Sequence, residues 1–143
     1  FFAAWPGVIK PGTEADAVAL TMDLYATLCE VAGVEVRHEI DGLSVMGVLT
    51  GKTAALKERD LVWMRREGGL NYGGQCYYAI RRGAWKLLQN TPYSPLELYN
   101  LEADPGEETD LLDDERKVAN ELSAALRRHI QKAGAIPWQQ PGR

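Results

Sequence analysis

The spacing of apolar residues in the first third of the chain is typical of a helix. Apolar side chains recur every three or four positions across residues 16–32, which predicts a helix with one apolar face. Thr13 and Asp16 form a typical N-terminal capping pair, and Gly33 is a typical C-terminal cap. The apolar run over residues 1–5 predicts a strand before this helix. The apolar positions of the predicted helix are Ala17, Leu20, Leu24, Leu28 and Val31.

The middle of the chain changes from helical to strand-like spacing. Residues 34–59 mix short apolar pieces with glycines, and we expect one helical turn around residues 45–49. The charged stretch 52–60 is the expected internal boundary. From Leu61 onward the apolar period favours strands joined by short turns, which predicts an antiparallel meander. The predicted strands cover residues 61–64, 76–81, 84–88 and 96–101.

The last regular element predicted is a long amphipathic helix. Asp113 or Asp114 is the expected cap and Gly134 the stop, with acidic residues at the start and basic residues at the end. The fold class is therefore α+β, a four-stranded antiparallel sheet packed on a long C-terminal helix. The apolar positions of the helix are Val118, Leu122, Ala125, Leu126 and Ile130. The aromatic residues expected to pack beneath it are Trp63, Tyr77, Tyr78, Trp85 and Tyr99.

Length, composition and charge narrow the classes of function. The chain has 143 residues and a net charge of −4, the size of one ordinary domain with a mildly acidic balance. The acidic balance argues against a nucleic-acid partner, because such proteins bind phosphates through a basic surface. No apolar run approaches the roughly 18 residues of a membrane span, so we expect no membrane partner.

Few side chains in the sequence suit catalysis. The histidines His38 and His129 have no Ser or Cys near them in a nucleophile motif. No cluster of His, Cys, Asp or Glu has metal-ligand spacing. The acids between residues 104 and 114 predict a turn and a helix start rather than a calcium loop. We expect a surface position for both histidines, with a place at a substrate rim as the alternative for His38.

The long connection over residues 65–75 is the best candidate for a binding site. Long ordered connections between strands often carry binding groups. Arg65 or Arg66 would pair with an anionic substrate, and Tyr72 would stack on an aromatic ring or a sugar. The alternative is a solvated loop with no binding role. The candidate substrate-rim residues are therefore Arg65, Arg66, Tyr72 and His38.

Five stretches, in order, resemble motifs of the sulfatase family. Residues 1–12 resemble its "P-F-hydrophobic-x-W-P-G-x-I-x-x-G" segment, and residues 23–33 its "D-L-Y-P-T-L … A-G" helix, with Ala26 in place of the usual Pro. Residues 40–51 resemble "D-G-x-S-L … L-x-G". The strand pair and the run after it resemble "A-x-R-x-G-x-W-K" and "E-L-Y-D-L-x-x-D-P-x-E". The set is similar to the C-terminal part of an arylsulfatase-type enzyme.

The resemblance implies a division of the chain and a parent enzyme. Residues 1–59 would be a strand-helix remnant of the large alkaline-phosphatase-like α/β domain, residues 60–136 the C-terminal subdomain, and residues 137–143 a tail. We therefore expect the missing N-terminal sulfatase domain to precede Phe1. The implied partner of the parent is a sulfated small molecule or glycan.

The motifs that carry sulfatase chemistry do not match any part of this sequence. The family's Cys-x-Pro-Ser-x-Arg signature, whose Cys or Ser becomes formylglycine, is absent, since Cys29 precedes Glu-Val-Ala and Cys76 precedes Tyr-Tyr-Ala. The family's calcium ligands and sulfate-contacting Lys belong upstream of its Trp-Pro-Gly strand. The resemblance thus implies no catalytic residue, no metal ligand and no cofactor in this chain. Calcium and formylglycine are expected in the parent enzyme.

Three hypotheses for function follow from the sequence. The first is a C-terminal sulfatase fragment that is inactive alone and acts in structural support and substrate selection. The second is the corresponding part of a phosphonate or phosphodiester hydrolase of the same superfamily. The third is a free-standing module that binds a carbohydrate or a protein. For the fragment we also expect dimerisation or strand exchange through the apolar strand that runs from Phe1 to Trp5.

Overall fold

The computed structural model describes residues 1–66, 76–91 and 93–134. The chain divides into two compact units, Phe1–Lys57 and Glu58–Arg143. None of the helices in the described residues is long and apolar enough to cross a membrane. The first unit contains helices α1 (Asp23–Val31) and α2 (Met46–Leu49). The second contains strands β1 (Leu61–Arg66), β2 (Cys76–Arg82), β3 (Trp85–Gln89) and β4 (Glu97–Asn100), and helix α3 (Arg116–Gly134).

The four strands form one antiparallel sheet in the order β1-β2-β3-β4. The register places Val62, Ile80, Leu87 and Leu98 in a row across the sheet. Successive side chains of a strand point to opposite faces, so these four share a face. That face packs against α3, where Leu122 lies in the same apolar cluster. The predicted α+β fold, a four-stranded antiparallel sheet on a long C-terminal helix, is confirmed.

The core between the sheet and α3 is aliphatic. Ile80, Leu87 and Leu98 are completely buried, and Leu122 and Leu126 are almost so. Burying one such side chain stabilises the fold by about 1.5–3 kcal/mol. The second unit therefore has its own apolar core.

The aromatic residues of the sheet divide between its two faces, which corrects the prediction that all five pack beneath the helix. Tyr78 and Trp85 do pack against the core under α3. Trp63, Tyr77 and Tyr99 alternate along their strands with the residues that face α3. They line a hollow on the opposite face of the sheet. The strand alternation, rather than residue type, decides which aromatic ring meets the helix.

Helix α3 begins slightly later than the acidic run predicts. Its first backbone hydrogen bond joins the N–H of Ala119 to the carbonyl of Glu115 at 3.0 Å. The carboxylate of Asp113, an expected cap, instead accepts from the guanidinium of Arg116 at 2.8 Å. The prediction of Asp113 or Asp114 as the cap is therefore wrong, because Asp113 pairs with a side chain and the helix starts beyond both residues.

Helix α1 is shorter than its apolar period predicts, since it begins at Asp23 rather than at residue 16. The predicted cap Thr13 donates its hydroxyl to the carbonyl of Lys10 at 2.9 Å and so closes a local turn. The carboxylate of Asp23 accepts the backbone N–H of Leu20 at 2.7 Å. This bond fixes a turn directly before the helix and places a negative charge at its N-terminus, where the helix dipole favours it.

The C-terminal end of α1 agrees with the sequence. Gly33 has a φ of +66°, the left-handed conformation expected of a glycine cap. The N–H of Val34 bonds the carbonyl of Cys29 at 2.8 Å, and the N–H of Gly33 bonds that of Glu30 at 3.1 Å. These two bonds form a Schellman motif. The single helical turn expected around residues 45–49 is also present, as α2.

The first residues of the chain differ from the prediction. Residues 1–5 form no strand, and residues 1–57, all of which the structure describes, contain none. A strand needs a neighbour for its backbone hydrogen bonds, and the described part of this unit offers no such neighbour. Phe1, Phe2 and Trp5 are exposed.

Candidate functional site

The face of the sheet opposite α3 carries a hollow of about 500 Å³. One row of cross-strand partners crosses it, in which Trp63 pairs with Ala79, Ala79 with Leu88 and Leu88 with Glu97. The methyl group of Ala79 is the smallest side chain of the row and stands between two large ones. The depression therefore follows from sequence, because a small residue at the centre of a row of large residues leaves space above it. We call this depression the open-face hollow. Its lining includes Trp63, Arg65, Tyr77, Ala79, Lys86, Leu88, Asn90, Glu97, Tyr99 and Glu107, together with Met64, Tyr78 and Gln89, which alternate with these residues along the strands.

The carboxylates of the open-face hollow have defined partners. The ammonium of Lys86 donates to both carboxylate oxygens of Glu107, at 2.5 and 2.6 Å. The carboxylate of Glu97 accepts from the hydroxyl of Tyr99 at 2.8 Å and from the amide of Asn90 at 3.1 Å. These bonds fix the charged groups on this face and hold β3, β4 and the turn after β4 together.

The hydrogen bond to Glu97, followed by burial, raises the pKa of the Tyr99 hydroxyl to about 12 from its ordinary value of 10.0. A carboxylate acceptor favours the protonated phenol, and removing the proton would place two negative charges side by side. Tyr99 therefore stays a hydrogen-bond donor throughout the physiological pH range.

The cationic end of the open-face hollow is formed by Arg65 beside Tyr77. Arg65 and Tyr77 are direct cross-strand partners, and the guanidinium carbon of Arg65 lies 6.0 Å from the centroid of the Tyr77 ring. This is the outer limit of a cation–π contact. The Arg65 side chain is exposed. Trp63 stands diagonally beside this pair and is 43% exposed.

Of the four residues predicted at a substrate rim, the structure describes the side chains of Arg65 and His38, which belong to different units. Arg65 lies at the end of the open-face hollow. Arg66 ends β1, and its side chain lies outside the described residues, as does the whole of Tyr72. His38 belongs to the first unit, is exposed, and has its ring centroid 6.0 Å from that of Tyr25. The substrate-rim role of these residues stays a prediction.

Sequence reasoning missed most of the open-face hollow. The sequence pattern predicts Trp63 and Tyr77 beneath the helix, and Ala79 is not among the predicted site residues. The signal that could have found them is the strand period, because residues that alternate with Val62 and Ile80 must lie on the face away from α3.

Residues of two family motifs, in the stretches 23–33 and 40–51, form a polar clamp, in which two buried side chains hold two segments of backbone together. Asp23 and Thr27 are buried in α1, whereas the apolar residues Leu24 and Leu28 are exposed. The carboxylate of Asp23 accepts the N–H of Leu43 at 2.8 Å. These residues therefore tie two distant stretches of backbone together rather than reaching for a substrate.

Thr27 and Gly42 complete this clamp. The hydroxyl of Thr27 donates to the carbonyl of Asp23 at 2.7 Å and accepts the N–H of Val45 at 3.0 Å. A Cβ at Gly42 would lie 2.4 Å from the carbonyl oxygen of Met22. Glycine is required at this position because the two backbone segments approach too closely for any side chain.

The acidic run after β4 also has a structural explanation. One carboxylate oxygen of Asp104 accepts the N–H groups of Glu108 and Thr109 at 2.8 and 2.9 Å. One oxygen of Asp110 accepts the N–H groups of Leu98 and Leu112, both at 2.9 Å. The described part of the chain contains no group of three His, Cys, Asp or Glu side chains placed to hold a metal ion.

Comparison with known proteins decides the family. The family model for the C-terminal region of N-sulphoglucosamine sulphohydrolase matches residues 1–134. The chain belongs to the sulfatase family. It corresponds to the C-terminal portion of such an enzyme, as the sequence motifs predicted.

Individual relatives of this sulfatase portion agree with the family match. It is 31% identical over 106 residues to an N-acetylglucosamine-6-O-sulfatase of Bacteroides thetaiotaomicron, covering 72% of this chain and 19% of that protein. It is 30% identical over 133 residues to a choline-sulfatase of Rhizobium meliloti, covering 91% of this chain and 24% of the relative. This sulfatase portion thus spans about a fifth to a quarter of the length of these curated relatives.

A solved structure supports the fold of this sulfatase portion. The structure of a protein in complex with its substrate D-glucosamine-2-N,6-O-disulfate matches with a TM-score of 0.74 and 24% identity. The match covers 93% of this chain and 28% of that one. A likeness at this level of identity shows a shared fold.

Proposed function

We propose that this chain is the part of a sulfate-ester hydrolase that supports the catalytic domain and helps to select the substrate, and that it is inactive alone. The observation that carries the proposal is the family match over residues 1–134, combined with relatives of which the matched part is only 19% and 24%. The sequence motifs of the nucleophile and the metal ligands have no counterpart among these residues.

The contacts of the motif residues support a structural role. Asp23, Thr27 and Gly42 join backbone segments, and Lys86 and Glu107 pair with each other. The side chains of Asp23, Thr27, Lys86 and Glu107 therefore already have partners within the fold. This pattern is expected of a portion that holds a shape rather than one that carries out bond cleavage.

The exposed face of α1 supports a larger assembly. Leu24, Tyr25 and Leu28 are about half exposed or more, although they follow one helical face. Exposed apolar residues at helical spacing mark a surface that packs against other protein. In the proposed parent enzyme, the upstream part of the α/β domain would cover this face.

The chemistry of the parent would come from groups outside this chain. In the proposed enzyme, formylglycine would supply the nucleophile and a calcium ion would stabilise negative charge on the sulfate oxygens. A sulfated sugar is the proposed substrate class. Its support is the name of the N-acetylglucosamine-6-O-sulfatase relative and the glucosamine disulfate bound in the structural neighbour.

The inactivity of the chain is testable by direct assay. The purified 143-residue chain should release no sulfate from N-acetylglucosamine 6-sulfate or from 4-nitrophenyl sulfate above an empty-vector preparation. Sulfate release that is lost in His38→Ala and kept in the matched variant His129→Ala would contradict the proposal, because the chain would then carry its own catalytic group. Release that survives in both variants would contradict it as well.

A further inference from the structure

The open-face hollow is apolar along its floor and acidic at one end. Its volume of about 500 Å³ falls within the roughly 300–1,000 Å³ typical of ligand pockets. One row of cross-strand partners spans the sheet in the order Trp63, Ala79, Leu88 and Glu97. The first three side chains of this row are apolar and the last is a carboxylate. The surface of the hollow therefore changes from apolar to anionic between β1 and β4.

The carboxylate of Glu97 carries a negative charge that its own partners do not neutralise. Its two oxygens accept hydrogen bonds from the hydroxyl of Tyr99 at 2.8 Å and from the amide of Asn90 at 3.1 Å, and both donors are uncharged. Within the described residues, Glu97 forms no ion pair with a Lys, Arg or His side chain. The carboxylate of Glu107, by contrast, is neutralised by the ammonium of Lys86.

The two uncharged donors fix this carboxylate where a ligand can reach it. Glu97 is half-buried and lines the hollow. Tyr99 remains a hydrogen-bond donor at physiological pH, because its pKa is raised to about 12. Each oxygen of the carboxylate accepts one bond and keeps a lone pair for another donor. A cationic N–H group would therefore meet an acceptor that is already held in place, and such charge-assisted hydrogen bonds are the strong ones.

The positive charges in the lining leave this end of the hollow to a ligand. Lys86 pairs with Glu107. Arg65 lies on β1, and β1 and β4 are the two outer strands of the sheet, three strand spacings or about 14 Å apart. Charges at this separation are largely screened at ordinary salt, where the Debye length is about 10 Å. The net charge of −4 on the whole chain also attracts a cation more than an anion.

Trp63 and Ala79 offer a surface for the apolar body of such a ligand. Trp63 is 43% exposed although it lies within a strand, and its partner Ala79 is too small to cover it. Offset or edge-to-face packing on an exposed indole favours an aromatic ring. Ala79 and Glu97 are two strand spacings apart, about 10 Å. A ring above Ala79 would thus reach Glu97 through a chain of a few carbon atoms that ends in an ammonium group.

We propose that the open-face hollow binds an arylalkylammonium ion, whose ring packs on Trp63 above Ala79 and whose ammonium pairs with Glu97. The proposal rests on the register of the sheet and on the partners of Glu97. It goes beyond the proposed function and does not depend on it.

The test is a titration of the full chain followed through its tryptophan indole N–H signals in ¹H–¹⁵N spectra. Trp63→Phe identifies the Trp63 signal by its loss. Three probes of matched shape are compared: phenylbutylamine, the uncharged phenylbutanol and the anionic phenylbutyrate. The amine should shift the Trp63 signal and bind about tenfold more tightly than the alcohol, which is the scale of one hydrogen bond to a charged group. Phenylbutyrate should bind more weakly than the alcohol, because Glu97 repels it.

Three variants separate the parts of the site. Glu97→Gln keeps an acceptor for Tyr99 but removes the charge, so the affinity for the amine should fall to that for the alcohol. Ala79→Leu fills the floor and should abolish the response to both probes. Glu121→Gln removes an exposed carboxylate from α3, which packs on the other face of the sheet, and should change nothing. Circular dichroism establishes that each variant is folded, and Ala79→Val, a smaller filling, replaces Ala79→Leu if that variant does not fold.

The outcomes decide whether the hollow recognises an amine. No shift of the Trp63 signal at tens of millimolar phenylbutylamine would overturn the proposal. Equal affinity for the amine and the alcohol, or a preference for the amine that survives in Glu97→Gln, would overturn the role of Glu97. Unchanged binding in the folded Ala79 variant would overturn the position of the ring. The sulfatase role is tested separately by sulfate release, so a failure of amine binding leaves that role intact.

Discussion

The turn that carries Glu107 gives the sharpest test of how the family motif stabilises the sheet. Glu107 has a φ of +56°, the only non-glycine residue with a positive φ among the described residues. This left-handed conformation costs an L-residue roughly 1–2 kcal/mol. In this conformation the carboxylate of Glu107 accepts two hydrogen bonds from the ammonium of Lys86. We infer that the ion pair offsets the backbone strain.

The magnitude follows from the exposure of the pair. The side chains of Lys86 and Glu107 are 25% and 30% exposed, which places them between surface and buried pairs. Exposed pairs contribute about 0.2–1 kcal/mol and hydrogen bonds to charged groups about 1.5–3 kcal/mol. We take about 1.5 kcal/mol for this pair. Glu107→Ala keeps the strain and loses the pair, so the free energy of unfolding should fall by about 1.5 kcal/mol.

Comparing the stability of Glu107→Gly with that of Glu107→Ala separates the loss of the ion pair from the backbone strain. Glycine loses the same ion pair but relieves the left-handed strain, which returns about 1 kcal/mol. The glycine variant should therefore be more stable than the alanine variant by about 1 kcal/mol. Lys86→Met, which keeps the apolar stem, should lose little further stability when Glu107 is already alanine.

The assay is urea unfolding followed by circular dichroism at the helix band, to which α3 contributes most of the signal as the longest helix. Five proteins are compared, provided that their free energies of unfolding depend on urea with the same slope: the unchanged chain, Glu107→Ala, Glu107→Gly, Lys86→Met and the double variant Lys86→Met/Glu107→Ala. A glycine variant as unstable as the alanine variant would refute the strain argument. A coupling between Lys86 and Glu107 near zero in the double-mutant cycle would refute the role of the pair.

Three further predictions address the clamp, the tyrosine and the exposed N-terminal residues. Gly42→Ala should destabilise the first unit by more than about 2 kcal/mol in thermal unfolding, because its Cβ would lie 2.4 Å from the carbonyl oxygen of Met22; a neutral result would contradict the clamp. The absorbance at 295 nm of the native chain should show that Tyr99 ionises with a pKa of about 12. The stability that comes from this raised pKa should be complete below about pH 10 and lost between about pH 10 and 12. If Tyr99→Phe leaves the titration unchanged, the observed signal belongs to another tyrosine. The exposed apolar residues 1–5 should drive dimerisation, and a clean monomer by light scattering at high concentration would reject this.

The second unit could be predicted from sequence because its signals are local. The strands from Leu61 to Asn100 are marked by short apolar runs, and the turns between them carry their own residues, such as Gly83 with a φ of +55°. The apolar stripe of α3 needs one partner face, and the sheet provides it. Local periodicity and turn chemistry therefore suffice for this architecture.

The start of α1 could not be predicted because a distant contact decides it. The carboxylate of Asp23 bonds the N–H of Leu43, twenty positions along the chain, as well as the nearby N–H of Leu20. The apolar period over residues 16–22 gives no sign of this contact. Tertiary hydrogen bonding overrides the helical pattern there.

The candidate site was only partly accessible from sequence. Arg65 was singled out for its charge, and the structure places it at the hollow. Trp63 and Ala79 carry the shape, but their importance depends on the register that sets them opposite each other. Register is a property of the assembled sheet, so sequence reasoning about single residues could not reach it.

The central claim is that this chain is the C-terminal portion of a sulfatase, and the coding DNA upstream of the Phe1 codon tests it most directly. We predict that the reading frame continues for several hundred codons and encodes Cys-x-Pro-Ser-x-Arg or its Ser variant. A start codon or a signal peptide directly before Phe1, with no such signature upstream, would contradict the account of this chain as part of a sulfate-ester hydrolase.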